Sequence, residues 1–301
     1  MANTDNQIMP VSLGTLKGSI RVPQAASLRA FTLVIAGSGA TDRDGNSSLG
    51  RNNSLKYLAE GLSEFGIASL CYDKRLVGES LQKNDLQSDV VFENYIDDAV
   101  NWLKYIEQRY EVPIFVIGHS EGSLIGAIAA QQFPCAGFIS IAGTSRHMSE
   151  LILEQVKGKC SQKLYDELKQ GLRMVSAGQT VSASKELDTF LRKSLQPYIR
   201  SQNKYSPTHE FSKLPENESG SVSASVLVIH GTKDIQVPVS DAKELHAACP
   251  NSKLIIVEKM NHVLKEIDGD LEENLNSYID DTIPVHSQLT RKVSEFILGI
   301  V

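Results

Sequence analysis

Residues 114–126 read IFVIGHSEGSLIG, and the order of residue types in this stretch decides the fold. Ile114 to Ile117 is an unbroken apolar run that follows Pro113 and ends on Gly118. A short run that does not alternate in polarity suits a strand covered on both faces. Ser123, Gly126, Ala127, Ala129 and Ala130 then carry small residues through a helical stretch. Between the two, Gly118-His119-Ser120-Glu121-Gly122 satisfies G-x-S-x-G, which carries chemical meaning at a strand-to-helix turn. A nucleophile on so tight a turn is held in a strained conformation, and glycines two before and two after it remove the Cβ atoms that would clash. Its hydroxyl then stands above the carboxyl edge of the sheet, at the positive end of a helix. The competing reading is a glycine-tolerant turn whose serine only caps the helix; the presence of partners for Ser120 decides between them.

Outward from this stretch, the first half of the chain alternates apolar strands with amphipathic helices. Residues 32–36 (TLVIA), 67–72 (IASLCY), 113–117 (PIFVI) and 138–142 (FISIA) read as strands. Leu55, Leu58, Leu62 and Phe65 share one face of a helix closed by Gly66. Phe92, Tyr95, Ile96, Ala99, Leu103 and Ile106 do so for a second helix. From 147 to about 213 the chain has no strand signal, only helical stripes: Leu151, Ile152 and Val156; Leu164, Leu168, Leu172 and Val175; Leu187, Leu191 and Leu195. Pro197, Pro207 and Pro215 punctuate its end, and residues 215–225 (PENESGSVSAS) form a polar approach to the next strand. Strand signals resume at 225–230 (SVLVIH) and 253–257 (KLIIV), and Leu289, Val293, Phe296 and Ile297 mark a final helix. The expectation is an α/β fold with a mostly parallel central sheet flanked by helices. Residues 1–145 and 221–301 would form its core, and residues 146–220 a helical cap inserted after the nucleophile half.

Partners for Ser120 occur in the order such a fold requires. A serine hydroxyl is a weak nucleophile at neutral pH, so it needs a base, and the base needs an orienting acid. Asp234 follows VLVIH in the loop HGTKD, and His262 follows LIIV in the loop EKMNHVL. Both project from the sheet edge that presents Ser120, where ligands bind in open α/β sheets. Taken singly, a loop aspartate is usually a turn former and a loop histidine a surface side chain; at the ends of three strands they form a constellation. The loop AGSGATDRDGN after the first apolar strand is expected to complete an oxyanion hole from backbone N–H groups, Ser38 supplying one (or its neighbour Gly39) and Glu121 the other. Gly37-Ser38-Gly39 also begins like a dinucleotide fingerprint, but Asp42 stands in place of the third glycine, and with Asp44 it would repel a phosphate.

The blocks GSGATDRDGN, YDKRLVGES, GHSEGS, HGTKDIQVPVSDAKEL and MNHVLK together resemble the bacterial α/β-hydrolases, in the carboxylesterase branch related to serine-aminopeptidase-like and monoglyceride-lipase-like hydrolases. The resemblance covers nearly all of the chain. It implies Ser120 as nucleophile, His262 as base and Asp234 as its partner, and an α/β-hydrolase fold. Such proteins commonly carry proline at the position of Ala40 and glycine at that of Leu76. The expected function is cleavage of carboxylic esters with small to medium acyl chains, a carboxylesterase of class EC 3.1.1. Thioesterase or aminopeptidase-like amidase activity would use the same triad, and a hydrolase-fold binding protein without turnover is the alternative of a different class.

Other singled-out residues carry less. His119 is expected to pack and His230 to serve as a hydrogen-bonded structural residue; Arg43 and Arg75 read as ion-paired or solvated. His147 and Glu150 share a helical face, but HExxH is absent and no metal or other cofactor is expected. Cys71, Cys135, Cys160 and Cys249 are scattered, as suits thiols of a reducing compartment. The 301 residues are 41% hydrophobic and carry 30 basic against 36 acidic side chains, a formal net charge of −6. That sign disfavours nucleic acid, anionic lipid and strongly anionic substrates. The opening MANTDNQIMPVSLG has neither a basic nor an apolar signal region, and no run approaches the ~20 apolar residues of a membrane helix. The expected setting is cytoplasmic, without membrane insertion, with a small-molecule acyl ester as partner and a homodimer as the assembly left open.

Overall fold

The computed structural model describes residues 7–23, 26–83, 90–214 and 224–301. Residues 215–223 of the PENESGSVSAS stretch, and with them the expected end of the insertion at 220, lie outside the described residues, as do residues 1–6. The chain opens with a hairpin, β1 (Gln7–Leu13) and β2 (Leu16–Val22), turned through Gly14 at φ +60°. Alternation then follows: β3 (Ala30–Ile35), α1 (Ser54–Ser63), β4 (Ile67–Tyr72), α2 (Phe92–Glu107), β5 (Ile114–His119), α3 (Glu121–Gln132) and β6 (Gly137–Ile141). Between β6 and β7 lie α4 (Met148–Val156), α5 (Gln162–Ser176), α6 (Asp188–Leu191), α7 (Gln196–Gln202) and α8 (Pro207–Ser212). The chain closes with β7 (Ser225–Gly231), α9 (Val239–Ala248), β8 (Lys253–Val257), α10 (Leu271–Asn276) and α11 (Ser287–Leu298). Among the described residues no helix is long and apolar enough to cross a membrane.

The sheet runs β1-β2-β4-β3-β5-β6-β7-β8. β1 and β2 are antiparallel to each other, β2 is antiparallel to β4, and every pairing from β4 to β8 is parallel. Successive strand side chains point to opposite faces, and β3 shows the consequence. Phe31, Leu33 and Ile35 join an apolar cluster with Trp102 and Phe92 of α2, Ile125 of α3 and Leu245 of α9. Ala30 and Val34 join a second cluster with Leu58 of α1 and Val293 of α11. Both faces are therefore covered, which is why the strands read as continuous apolar runs. Helices α4–α7 have an apolar cluster of their own, built on Ile152, Leu168, Leu172, Val175, Leu191 and Ile199, whereas Phe211 of α8 joins the first cluster on the sheet.

Three local expectations need correction. Phe65 is 39% exposed, not on the buried face of α1, because the helix ends at Ser63 and the chain turns through Gly66 at φ +80°. His147 precedes α4 and does not share its face with Glu150; instead the Glu150 carboxylate accepts a hydrogen bond from the His147 N–H at 3.2 Å. The first apolar strand of the sequence is the third of the structure.

Strand order places the site. From β3 the chain moves outward to β4, then returns past β3 to β5 and continues the other way to β6. The loops leaving β3 and β5 thus diverge and open a crevice at the carboxyl edge. Ile35 pairs with Gly118, so the loop that begins at Ala36 runs beside Ser120.

Candidate active site

Ser120 lies between β5 and α3 with φ 54° and ψ −119°, a region non-glycine residues avoid and one that stores strain at functional turns. The flanking glycines make the turn sterically attainable. A Cβ on Gly118 would stand 2.2 Å from the Gly122 carbonyl oxygen, and one on Gly122 would stand 2.3 Å from that of Ile35. The Ser120 N–H donates to the Ile141 carbonyl at 2.9 Å, fixing the turn to β6.

The structure brings Ser120, His262 and Asp234 together from the ends of β5, β8 and β7. His262 Nδ1 lies 2.7 Å from Asp234 Oδ2, and His262 Nε2 lies 3.2 Å from Ser120 Oγ. An ionised carboxylate only accepts, so Nδ1–H donates to it and Nε2 is left to accept from the serine hydroxyl. The other carboxylate oxygen, Oδ1, accepts the N–H groups of Gln236 at 2.8 Å and Val237 at 2.9 Å. Burial alone would raise Asp234; the neighbouring His262, its hydrogen bond, His230 and the Val237 N–H outweigh it and hold the carboxyl below its usual range.

Two further histidines frame these three side chains. His119 donates through Nε2 to the His262 carbonyl at 2.8 Å, and its ring centroid lies 5.1 Å from that of His262. Burial first, then the neighbouring His262, pushes its titration down to about 3. His230 donates through Nε2 to the Val237 carbonyl at 2.9 Å, with the same nitrogen 3.4 Å from Asp234 Oδ2, and burial lowers it also. Both are therefore neutral in the folded protein near neutral pH, whereas an unfolded histidine titrates near ~6.5. Below that pH the unfolded chain binds a proton that folded His119 does not, so stability falls as pH falls from about 6.5 toward 3. Wild-type protein is expected to lose about 2 kcal/mol of unfolding free energy through His119 alone between pH 7 and pH 5. Urea unfolding of His119→Asn at both pH values should show a correspondingly smaller loss; an equal loss would contradict the assignment.

The loop after β3 contributes Gly37, Ser38 and Gly39, with Gly39 at φ +68°. Ser38 lines two cavities that also reach Ser120. Among the described residues, neither the Ser38 nor the Glu121 N–H has a hydrogen-bond acceptor, which leaves both open to an oxyanion. Arg43 pairs with Asp73 at 2.7 Å and with Glu79, and Arg75 holds Asp98 through two bonds at 2.7 and 2.8 Å. Neither arginine reaches Ser120.

Sequence reasoning missed several groups. Lys74, 1% exposed, donates to the Gly37 carbonyl and lies 3.2 Å from Glu121 Oε2. Tyr198 and Gln202, both on α7, donate to Glu121 Oε1 at 2.8 and 3.2 Å. Asn261 anchors the histidine loop through Asn274 at 2.9 Å and Ser277 at 2.7 Å. The YDKR block held the signal for Lys74; nothing local marked Tyr198. Leu76 adopts φ +66°, so the turn that takes glycine in similar proteins forms here with a leucine.

Two cavities meet at Ser120. One of about 220 Å³ includes His262 and is lined by polar Thr41, Ser47, Asn52, Gln236 and Tyr278. The other, about 100 Å³, is lined by Leu124, Met148, Leu151, Ile152, Pro207 and Val237 among others. A third, of about 370 Å³, adjoins it through Ser38, Glu121, Met148 and Ile152.

Comparison with known proteins gives a consistent likeness. The sequence profile of the family described as serine aminopeptidase, S33, matches residues 51–268, a span that holds Ser120, Asp234 and His262 and leaves out Ser38. Esterase EstD of Thermotoga maritima is 26% identical over 270 residues, covering 86% of this chain and 60% of that protein. The chain thus spans about three-fifths of the length of this curated relative. Among solved structures, Est1E from Butyrivibrio proteoclasticus superposes with a TM-score of 0.60 at 18% identity, covering 97% of this chain and 98% of the other. Est1E with ferulic acid bound gives 0.59 at 16% identity over 97% and 98% of the two chains. The Pyrococcus furiosus esterase Pf2001 gives 0.59 at 16% identity over 98% and 91%. At these identities the structural matches establish the α/β-hydrolase fold.

Proposed function

The chain belongs to the serine aminopeptidase S33 family of hydrolases, and from that premise we propose that it cleaves carboxylic esters of small to medium acyl chains through an acyl-enzyme. One observation carries the reading: the continuous relay from Ser120 Oγ through His262 to Asp234, at 3.2 and 2.7 Å. Ser120 Oγ attacks the ester carbonyl while His262 Nε2 takes the hydroxyl proton. The resulting oxyanion is held by the N–H groups of Ser38 and Glu121, and Asp234 stabilises the imidazolium. Collapse of the intermediate expels the alcohol, which receives the proton from His262. Water then repeats the sequence on the acyl-enzyme and releases the acid.

Proton return to the alcohol places the leaving group on the His262 side, in the polar cavity beside Tyr278. The acyl chain then occupies the cavity under the helices between β6 and β7, where Leu124, Met148, Leu151 and Ile152 offer apolar wall beside the polar Arg146, His147 and Gln155. Its volume of about 100 Å³ is below the ~150 Å³ of an engineered cavity that admits benzene, which supports a small acyl chain; the adjoining cavity extends the range to medium ones. The helices α4–α8 act as a cap over this pocket. Among the described residues lining the three cavities, Glu121 is the one carboxylate, and Lys74, Tyr198 and Gln202 already engage it. No free counter-charge awaits the ammonium of an aminoacyl substrate, which favours the ester over the amidase reading.

Kinetics on a series of p-nitrophenyl esters, beside an acyl-CoA and an aminoacyl p-nitroanilide, tests this. kcat/KM is expected to peak on the short-chain esters and to exceed that on the anilide. A steady rise toward long acyl chains, or preference for the anilide or the thioester, would contradict it.

A further inference from the structure

Lys74 is a buried cation outside the relay of Ser120, His262 and Asp234, on the wall of the larger adjoining cavity that a short acyl chain does not need. It follows β4, whereas the groups it touches belong to the loop after β3 and to the first residue of α3. Lys74 Nζ donates to the Gly37 carbonyl, lies 3.2 Å from Glu121 Oε2, and stands 5.2 Å from the centre of the Tyr95 ring. Glu121 is 5% exposed at its side chain, and its second oxygen is held by Tyr198 and Gln202 of α7. Tyr198 is itself 5% exposed and packs on Tyr95 with ring centroids 5.5 Å apart.

The Gly37 carbonyl and the Ser38 N–H belong to one peptide group. That group is planar and trans, so the two point in opposite directions. A cation fixing the carbonyl on one side therefore fixes the N–H on the other. The second oxyanion donor is the N–H of Glu121, whose side chain grips the same Nζ. We propose that the Lys74–Glu121 pair is a positioning device: it aims both oxyanion N–H groups at one point and, through Tyr198 and Gln202, ties that aim to the seating of α7. Neither side chain touches the reacting atoms. Their effect falls on the tetrahedral intermediate and leaves substrate binding largely alone. Interactions of this kind move kcat rather than KM.

The inference rests on Ser120 being the nucleophile. The test compares Lys74→Met, the double variant Lys74→Met/Glu121→Gln and Tyr198→Phe with wild type on p-nitrophenyl acetate. Each is also titrated with an alkyl boronic acid, which forms a tetrahedral adduct on the serine. Lys74→Met is expected to lower kcat by about 10²-fold, the scale of losing one oxyanion donor, with KM within about threefold and boronate affinity reduced in parallel. Lys74→Met leaves an unpaired buried carboxylate that can compromise folding. The double variant removes both charges yet keeps an acceptor for Tyr198, so it separates aim from charge balance. It should melt near wild type and retain the kcat defect; a double variant with wild-type kcat overturns the inference. Tyr198→Phe removes one hydroxyl and should lower kcat by about threefold to tenfold at unchanged KM. Wild-type kcat in Tyr198→Phe overturns the tie to α7. Wild-type protein that neither turns over the ester nor binds the boronate would sink the Ser120 reading instead, a different outcome from active protein with unaffected variants.

Discussion

Replacing Ser120 with alanine is expected to lower kcat on a short-chain p-nitrophenyl ester by about 10⁴- to 10⁶-fold while the protein remains folded. The size follows from the relay: without Oγ there is no acyl-enzyme, and His262 Nε2 has no proton to accept. Hydrolysis should not vanish entirely, because the N–H groups of Ser38 and Glu121 still stabilise an oxyanion formed by direct attack of water. The fold is indifferent to the change because alanine keeps the Cβ that the turn at φ 54° already accommodates. What is lost is one contact of 3.2 Å with His262, so unfolding free energy should shift by less than about 1 kcal/mol. Stopped-flow and steady-state kinetics together with a urea melt check both halves. A variant within about tenfold of wild type would show that another group performs the attack.

The second large effect is expected from Asp234→Asn, a drop of about 10⁴-fold in kcat, for a reason the hydrogen bonds make specific. Oδ1 of Asp234 accepts two backbone N–H groups, from Gln236 and Val237. An asparagine must therefore place its carbonyl oxygen there and turn its NH₂ toward His262. Facing a donor, His262 Nδ1 must accept, which moves the imidazole proton to Nε2. Nε2–H then points at Ser120 and can no longer take its proton. The loss should thus appear in kcat and kcat/KM together, with KM little changed. It should ease at high pH, where hydroxide can bypass the base. A loss confined to KM would mean that Asp234 shapes the pocket and does not orient the histidine.

Much of this arrangement was legible because the chemistry sits at strand ends. β4 coincides with the apolar run at 67–72, since a strand buried on both faces leaves an unbroken signature; β8 coincides with the run at 253–257 although it is the edge strand and Ile256 is 36% exposed. The hairpin of β1 and β2 was not read. Its burial alternates, with Leu16, Gly18 and Ile20 inward and Lys17 and Ser19 half-exposed, and in a short polar-looking segment that period is easily lost. Phe65 shows the reverse error: an apolar residue at helical spacing came after the helix had stopped. Ser120, Asp234 and His262 could be paired from the sequence because each follows a recognisable strand. The Lys74–Glu121 pair could not, because it depends on β4 lying beside β3 and on α7 folding back over α3, contacts between residues 47 and 77 positions apart. Leu76 at φ +66° was marked only by a departure from the glycine of similar proteins.

The central claim, that Ser120 is an activated nucleophile and the protein turns over esters through it, is tested most directly by fluorophosphonate labelling with peptide mapping by mass spectrometry. The folded wild-type protein should take up one equivalent of probe on Ser120, lose esterase activity in proportion, and show no labelling as Ser120→Ala. Folded protein that stays unlabelled, or a label on another residue, would contradict it and leave the cleft as a binding site without turnover.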